Sequence, residues 1–269
     1  MPGSGGRAEE PEVSTAALLA VSGVSVRFGG IVALDGVSFD VAGGAIAGLI
    51  GPNGAGKTTL FNCLSRLYEC DSGTIVFDGR SLLDVPRHRI AALGIGRTFQ
   101  NLALFGSMSV LGNVMVGRHC RTGSGFLANA FRLPSVATED QATADRAREL
   151  VHFLGLEGVA DATVAQLPFA TRKRVELARA LAAEPKLLLL DEPASGLNHE
   201  DASALGRLIC EIRDRLSVTI LLVEHHMNLV MSVSDKVIAL NFGRKIAEGT
   251  PDEVRAHSEV VEAYLGVAA

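Results

Sequence analysis

Gly51-Pro52-Asn53-Gly54-Ala55-Gly56-Lys57-Thr58-Thr59 follows a short apolar run at 45–50 and precedes Leu60, Cys63, Leu64 and Leu67, which are spaced i, i+3, i+4, i+7. The apolar run predicts a buried strand and the spacing predicts a helix with one apolar face. The loop between them fits G-x-x-x-x-G-K-[ST]. Glycines let successive backbone N–H groups turn inward without a Cβ clash and form an anion nest. The N-terminus of the following helix adds partial positive charge. In this arrangement Lys57 reaches the outer phosphates of a nucleotide and the Thr58 hydroxyl serves as a Mg²⁺ ligand.

A second stretch carries chemistry. Leu187-Leu188-Leu189-Leu190 reads as a strand buried on both faces, and Asp191-Glu192-Pro193 follows it. A carboxylate at the end of a buried strand is costly unless it meets a cation or hydrogen-bond donors. Taken alone, the triplet equally suits a solvated turn with a helix cap. Beside the phosphate loop, Asp191 reads as a Mg²⁺ ligand and Glu192 as the group that orients or deprotonates the attacking water.

The rest of the chain alternates strand-like and helix-like runs, an α/β pattern. Residues 18–40 alternate with period two, interrupted at Gly29-Gly30, and 73–77 reads as another strand. From about 88 to 174 helical signals dominate, with Ala147, Leu150, Val151 and Leu154 on one face. This stretch reads as a helical subdomain inserted in the α/β core, with 121–138 as a long insertion inside it. Leu205, Leu208, Ile209, Ile212 and Leu216 mark a later helix, and 218–223 a further buried strand. Residues 236–240 and 244–247 read as a hairpin around a three-residue loop, Asn241-Phe242-Gly243. Thr250-Pro251-Asp252-Glu253 is a helix start with a capping box.

Composition narrows the function. The chain has 269 residues and a formal charge of −5. That length buries roughly three quarters of the unfolded surface without disulfide or metal staples. The mild acidity argues against a general nucleic-acid binder. No apolar run approaches the ~20 residues of a spanning helix. The first fifteen residues are polar and Gly/Pro-rich and read as a loose tail. Cys63, Cys70, Cys120 and Cys210 lack C-x-x-C spacing and read as reduced structural thiols.

Together the phosphate loop and the acidic pair define a P-loop NTPase, and further segments resemble ABC ATPases. Gly94-Ile95-Gly96-Arg97-Thr98-Phe99-Gln100 resembles their Q-loop, and Leu167-Pro168-Phe169-Ala170-Thr171 with its helix their signature segment. Ser195-Gly196-Leu197-Asn198 resembles the D-loop, Val223-Glu224-His225 the switch histidine, and Phe28 the aromatic that stacks on adenine. The resemblance runs from about Leu18 to Leu265. Residues 97–105, the insertion after Asn113, 192–198 and the ending 248–266 resemble the branched-chain amino-acid importer ATPases in particular. Relatives moving urea, amides or lipopolysaccharide share much of this pattern.

The resemblance implies an α/β fold: a P-loop core of mixed sheet flanked by helices, an inserted helical subdomain, and an N-terminal antiparallel β part. It implies an ABC ATPase domain over 16–269 behind a flexible tail, 1–15. ATP and Mg²⁺ are the implied cofactors, bound by Phe28, Gly51, Pro52, Asn53, Gly54, Ala55, Gly56, Lys57, Thr58 and Thr59, with Thr58, Gln100 and Asp191 around the metal. Glu192, His225 and Gln100 are the implied catalytic set. Ala170 and Thr171 would face the ATP of a second cassette in a homodimer or heterodimer. Transmembrane permease subunits, and through them an extracytoplasmic solute-binding protein, are the implied partners. The implied location is the cytoplasmic face of the cell membrane, with no nucleic acid involved. Arg172-Lys173-Arg174 reads as a solvated helix face, and Leu102 to Leu111 as subdomain core mixed with a permease groove near Phe105.

In one place the chain departs from the family pattern. The fourth and fifth signature positions, normally Gly and Gln, are Ala170 and Thr171. If the fourth position requires positive φ, alanine costs about 1–2 kcal/mol there. Weaker closure of the dimer is then expected, and a weakly hydrolysing regulatory ATPase is the alternative reading.

Overall fold

The computed structural model describes residues 17–98, 102–121 and 134–265. Two sheets organise it. Strands β1 (Ala17–Phe28), β2 (Ile31–Ala42), β4 (Ser72–Phe77) and β5 (Arg80–Ser81) form an antiparallel sheet in the order β2-β1-β4-β5. The second sheet has the order β10-β9-β3-β8-β7-β6. Its strands are β3 (Ile46–Ile50), β6 (Ile95–Arg97), β7 (Leu187–Asp191), β8 (Thr219–Val223), β9 (Lys236–Asn241) and β10 (Arg244–Gly249). All neighbours are parallel except β10, which pairs antiparallel with β9.

The apolar strands β3, β7 and β8 are buried along their whole length, as sheets covered on both faces require. Their alternating side chains feed two cores. Ala47, Leu49, Leu187, Leu189, Leu221 and Val223 pack with the antiparallel sheet and with helix α1 (Lys57–Leu64). Ile46, Ile50, Leu188, Leu190, Ile220 and Leu222 pack with the helices on the opposite face. These are α3 (Val110–Gly117), α4 (Pro134–Phe153), α5 (Phe169–Ala182), α6 (His199–Leu216) and α7 (Met227–Val233). The remaining helices are the short α2 (Ile90–Leu93) and the C-terminal α8 (Pro251–Ala256) and α9 (Ser258–Leu265).

Ala147, Leu150, Val151 and Leu154 all face the helical core, as their spacing predicts. The capping box at Thr250 and Glu253 is present, with Pro251 at the first helical position. Some local expectations change. Helix α1 ends at Leu64 because Arg66 turns into the left-handed region (φ +56°), so Leu67 leaves the buried face and is exposed. The hairpin loop has two residues, not three: Asn241 pairs with Arg244, and Phe242 and Gly243 take φ +43° and +78°. Two positive φ values match the type I′ turn, whose twist suits the flanking strands. Within 88–174, strand β6 pairs with β7, so that part of the stretch is core sheet rather than helical subdomain. Lys173 is buried with its ammonium over the Phe169 ring, not solvated. The tail at 1–15, most of the insertion at 121–138, and Gln100 lie outside the described residues.

Candidate functional site

Three strands deliver the chemistry to one edge. β3 ends at Ile50 and runs into the phosphate loop; β7 ends at Asp191, followed by Glu192; β8 ends at Val223, followed by Glu224 and His225. The register sets Leu49 and Asp191 both level with Val223. Ligands of parallel α/β sheets bind at such carboxyl ends.

The phosphate loop needs its glycines for space as well as for conformation. A Cβ on Gly51 (φ +152°) would lie 2.3 Å from the Leu240 carbonyl oxygen, and one on Gly56 (φ +101°) 2.6 Å from that of Ala33. The turn of the β9–β10 hairpin buttresses the loop, with the Gly243 N–H donating to the Ala55 carbonyl at 3.1 Å. Lys57 is 7% exposed, and its Nζ donates to the carbonyls of Gly51 at 2.6 Å and Pro52 at 3.0 Å. Burial pushes the Lys57 ammonium below its ordinary value, while the Glu192 and Asp191 carboxylates pull it up. The nest, the ammonium and the helix start together make a polyanion site. Asn53, Gly54 and the Thr58 side chain lie open to solvent.

Asp191 is 4% exposed and doubly held. Its Oδ2 accepts from Arg97 Nη2 at 2.9 Å, and its N–H donates to Thr98 Oγ1 at 3.3 Å. Glu192 turns into the left-handed region (φ +47°), with its N–H donating to Val223 O at 2.9 Å. Its Oε2 lies 3.9 Å from His225 Nδ1. The structure thus brings together the phosphate loop, Asp191, Glu192 and His225. The hard oxygen donors of Asp191 and Thr58 suit Mg²⁺ better than a soft transition metal.

Phe28, the last residue of β1, is 47% exposed, and its ring meets Tyr68 edge-on at 5.1 Å. Ala170 and Thr171 sit in the first turn of α5, after Pro168 at the N-cap. Ala170 is helical and is not among the positive-φ residues. The conformational penalty expected for alanine therefore does not arise. Phe169 packs its ring against Gly196, joining the signature segment to the turn before α6. Buried Asn113 pins Phe105 by accepting its N–H at 2.8 Å and donating to its carbonyl at 3.0 Å, leaving the ring half exposed.

Two polar residues matter more than the sequence reading assigned. Arg97 gave no signal of its own, because its strand β6 lies within the stretch whose sequence reads as helical. Glu224, fully buried, accepts N–H groups from Ala194 at 2.6 Å, His225 at 3.1 Å and His226 at 3.4 Å. Its signal was a carboxylate directly after a buried apolar strand.

Comparisons with known proteins agree with this geometry. Residues 34–195, more than half of the chain, match the family ABC transporter, and residues 244–269 match the family Branched-chain amino acid ATP-binding cassette transporter. The high-affinity branched-chain amino acid transport ATP-binding protein BraF of Pseudomonas aeruginosa is 40% identical over 93% of this chain and 98% of its own length. LivG of Escherichia coli K12, of the same description, is 40% identical with the same coverage. A crystal structure of the ADP conformation of an ATP-binding cassette of an ABC transporter superposes with a TM-score of 0.81 at 31% identity, covering 94% of this chain and all of that one. Among the described residues no helix is long and apolar enough to cross a membrane. The chain belongs to the ABC transporter family, as one of its ATP-binding and ATP-hydrolysing cassettes.

Proposed function

We propose that the chain is the motor subunit of an importer of branched-chain or related amino acids, working as a dimer of cassettes beneath transmembrane permeases on the cytoplasmic face of the membrane. The convergence of the phosphate loop, Asp191, Glu192 and His225 on one sheet edge carries the motor reading. The 40% identity to BraF and LivG over nearly their full length supports the cargo.

ATP is the substrate. Phe28 stacks on its base, and the N–H groups of the Gly51–Thr59 loop with the Lys57 ammonium bind its phosphates, drawing Lys57 from the Gly51 and Pro52 carbonyls. Thr58 and Asp191, with Gln100, would hold Mg²⁺, which offsets the negative charge of the β- and γ-phosphates. Glu192 accepts a proton from the attacking water as a new oxygen bond forms at the γ-phosphorus and the bond to the ADP oxygen breaks. His225 positions that water and the γ-phosphate. Ala170 and Thr171 present the start of α5 to the ATP of the second cassette, and helical backbone at Ala170 favours the hydrolysing motor over the regulatory alternative. The segment through Phe105 docks the permeases, which in turn meet a solute-binding protein outside.

The test of the motor is Lys57→Ala, which is expected to lose ATP retention; retention equal to the parent overturns the reading. For the cargo, the reconstituted transporter is expected to hydrolyse ATP faster with leucine than with urea, and the reverse preference overturns it.

A further inference from the structure

We infer that Arg97 is a positioning residue of the nucleotide site: it locks the Asp191 carboxylate in the single orientation that a divalent cation needs and ties that orientation to the helix that follows the phosphate loop. The inference rests on the metal-ligand role proposed for Asp191.

The guanidinium is a two-sided clamp. Nη2 donates to Asp191 Oδ2 at 2.9 Å, while Nη1 donates to Asn62 Oδ1 at 2.9 Å and Ser65 Oγ at 3.0 Å, with the Phe61 carbonyl at 3.4 Å. Three of its acceptors thus belong to the C-terminal end of α1, and the fourth to the end of β7. The charged group lies 5.7 Å from the centroid of the Phe61 ring. The side chains of Arg97 and Asp191 are only 10% and 5% exposed. In such a setting a charge-assisted bond is short, directional and shielded from competing water. The next residue completes the grip, because Thr98 Oγ1 accepts the Asp191 N–H and the Thr98 N–H donates to Leu189 O at 3.0 Å. Asp191 is therefore fixed at backbone and side chain by consecutive residues of one segment.

A bond to Oδ2 stops the carboxylate from swivelling and gives Oδ1 one direction. Groups that orient a metal ligand typically change metal affinity when removed, without touching the ion. Arginine is required because lysine offers a point charge and cannot bridge Asp191 to Asn62 and Ser65 at once.

The experiment measures Mn²⁺ binding by electron paramagnetic resonance with the full chain and a non-hydrolysable ATP analogue. Arg97→Met is expected to weaken Mn²⁺ by about 10-fold or more, and Arg97→Lys to recover part of the loss. Analogue binding in EDTA should stay within about two-fold of the parent, since the loop and Lys57 are untouched. The paired change Asn62→Ala with Ser65→Ala keeps both charges but frees the clamp from α1; it is expected to weaken Mn²⁺ by about 3- to 10-fold and serves should Arg97→Met fail to fold. Asp191→Asn is the reference. If Asp191→Asn loses Mn²⁺ while folded Arg97 and Asn62/Ser65 variants bind it like the parent, the positioning role is overturned alone. If Asp191→Asn itself binds Mn²⁺ like the parent, the metal-ligand reading beneath it fails.

Discussion

The buried carboxylate of Glu224 accepts the backbone N–H of Ala194, 30 positions earlier in the chain, at 2.6 Å. One side chain after β8 therefore holds the turn that carries Glu192, and its other oxygen accepts the N–H groups of His225 and His226. Glu224→Ala would leave the buried Ala194 N–H without its acceptor, a loss of about 1–3 kcal/mol, and release the part-buried N–H groups of His225 and His226 to water at smaller cost. We expect a fall in melting temperature of about 5–10 °C by calorimetry. ATPase activity should fall further than unfolding explains, because both His225 and Glu192 lose their support. Glu224→Gln keeps one acceptor oxygen and should lose less of both.

Glu192 and Lys57 make separable contributions. Glu192→Gln removes the proton acceptor but leaves the phosphate nest, so turnover should fall by about 10²–10⁴-fold while ATP binding persists. Steady-state hydrolysis, measured beside retention of labelled ATP, checks both halves. Parallel loss of binding and turnover would deny Glu192 its chemical role.

Ala170 was expected to weaken the dimer through backbone strain. Its helical conformation removes that cost, and glycine at the same place is expected to destabilise the first turn of α5 by about 0.5–1 kcal/mol. In the Glu192→Gln background, adding Ala170→Gly should change ATP-induced dimerisation by no more than about four-fold, because only a methyl group remains to matter. Analytical ultracentrifugation with ATP gives the comparison; a ten-fold gain would restore the strain argument.

Glu184 provides a pH test. The Arg118 guanidinium bonds to its carboxylate at 2.8 Å and holds it below the ordinary value of 4.5, with Arg146 also nearby at 3.3 Å. A depressed carboxylate contributes stability that is complete above its unfolded value and is lost as pH falls through its folded one. The stability gap between the parent and Glu184→Gln should therefore be constant near neutrality and close as pH drops below 4.5. Urea unfolding at a series of pH values measures it, and a gap that widens on acidification would reverse the sign.

Much of this architecture was legible because a few residues had few alternatives. The phosphate loop tolerates no Cβ at Gly51 or Gly56, and the four leucines before Asp191 are typical of a strand covered on both sides, as β7 is. Periodicity failed where a residue took a conformation its type disfavours. Leu67 continues the helical spacing, but Arg66 at φ +56° ends the helix first. Phe242 at φ +43° carries no composition signal for a type I′ turn, so Asn241 looked like loop. The Arg97 clamp was illegible for another reason: its partners Asn62, Ser65 and Asp191 come from two distant segments, and only the parallel pairing of β6 with β7 brings them together.

The left-handed backbone at Glu192 has a consequence for anyone breeding this protein for heat tolerance. A side chain other than Gly, Asn or Asp held there forfeits on the order of 1 kcal/mol. A library screened only for survival after heating should therefore enrich Glu192→Gly and Glu192→Asn. Its winners would be sturdy and idle, so any such campaign needs a catalytic selection run alongside the thermal one.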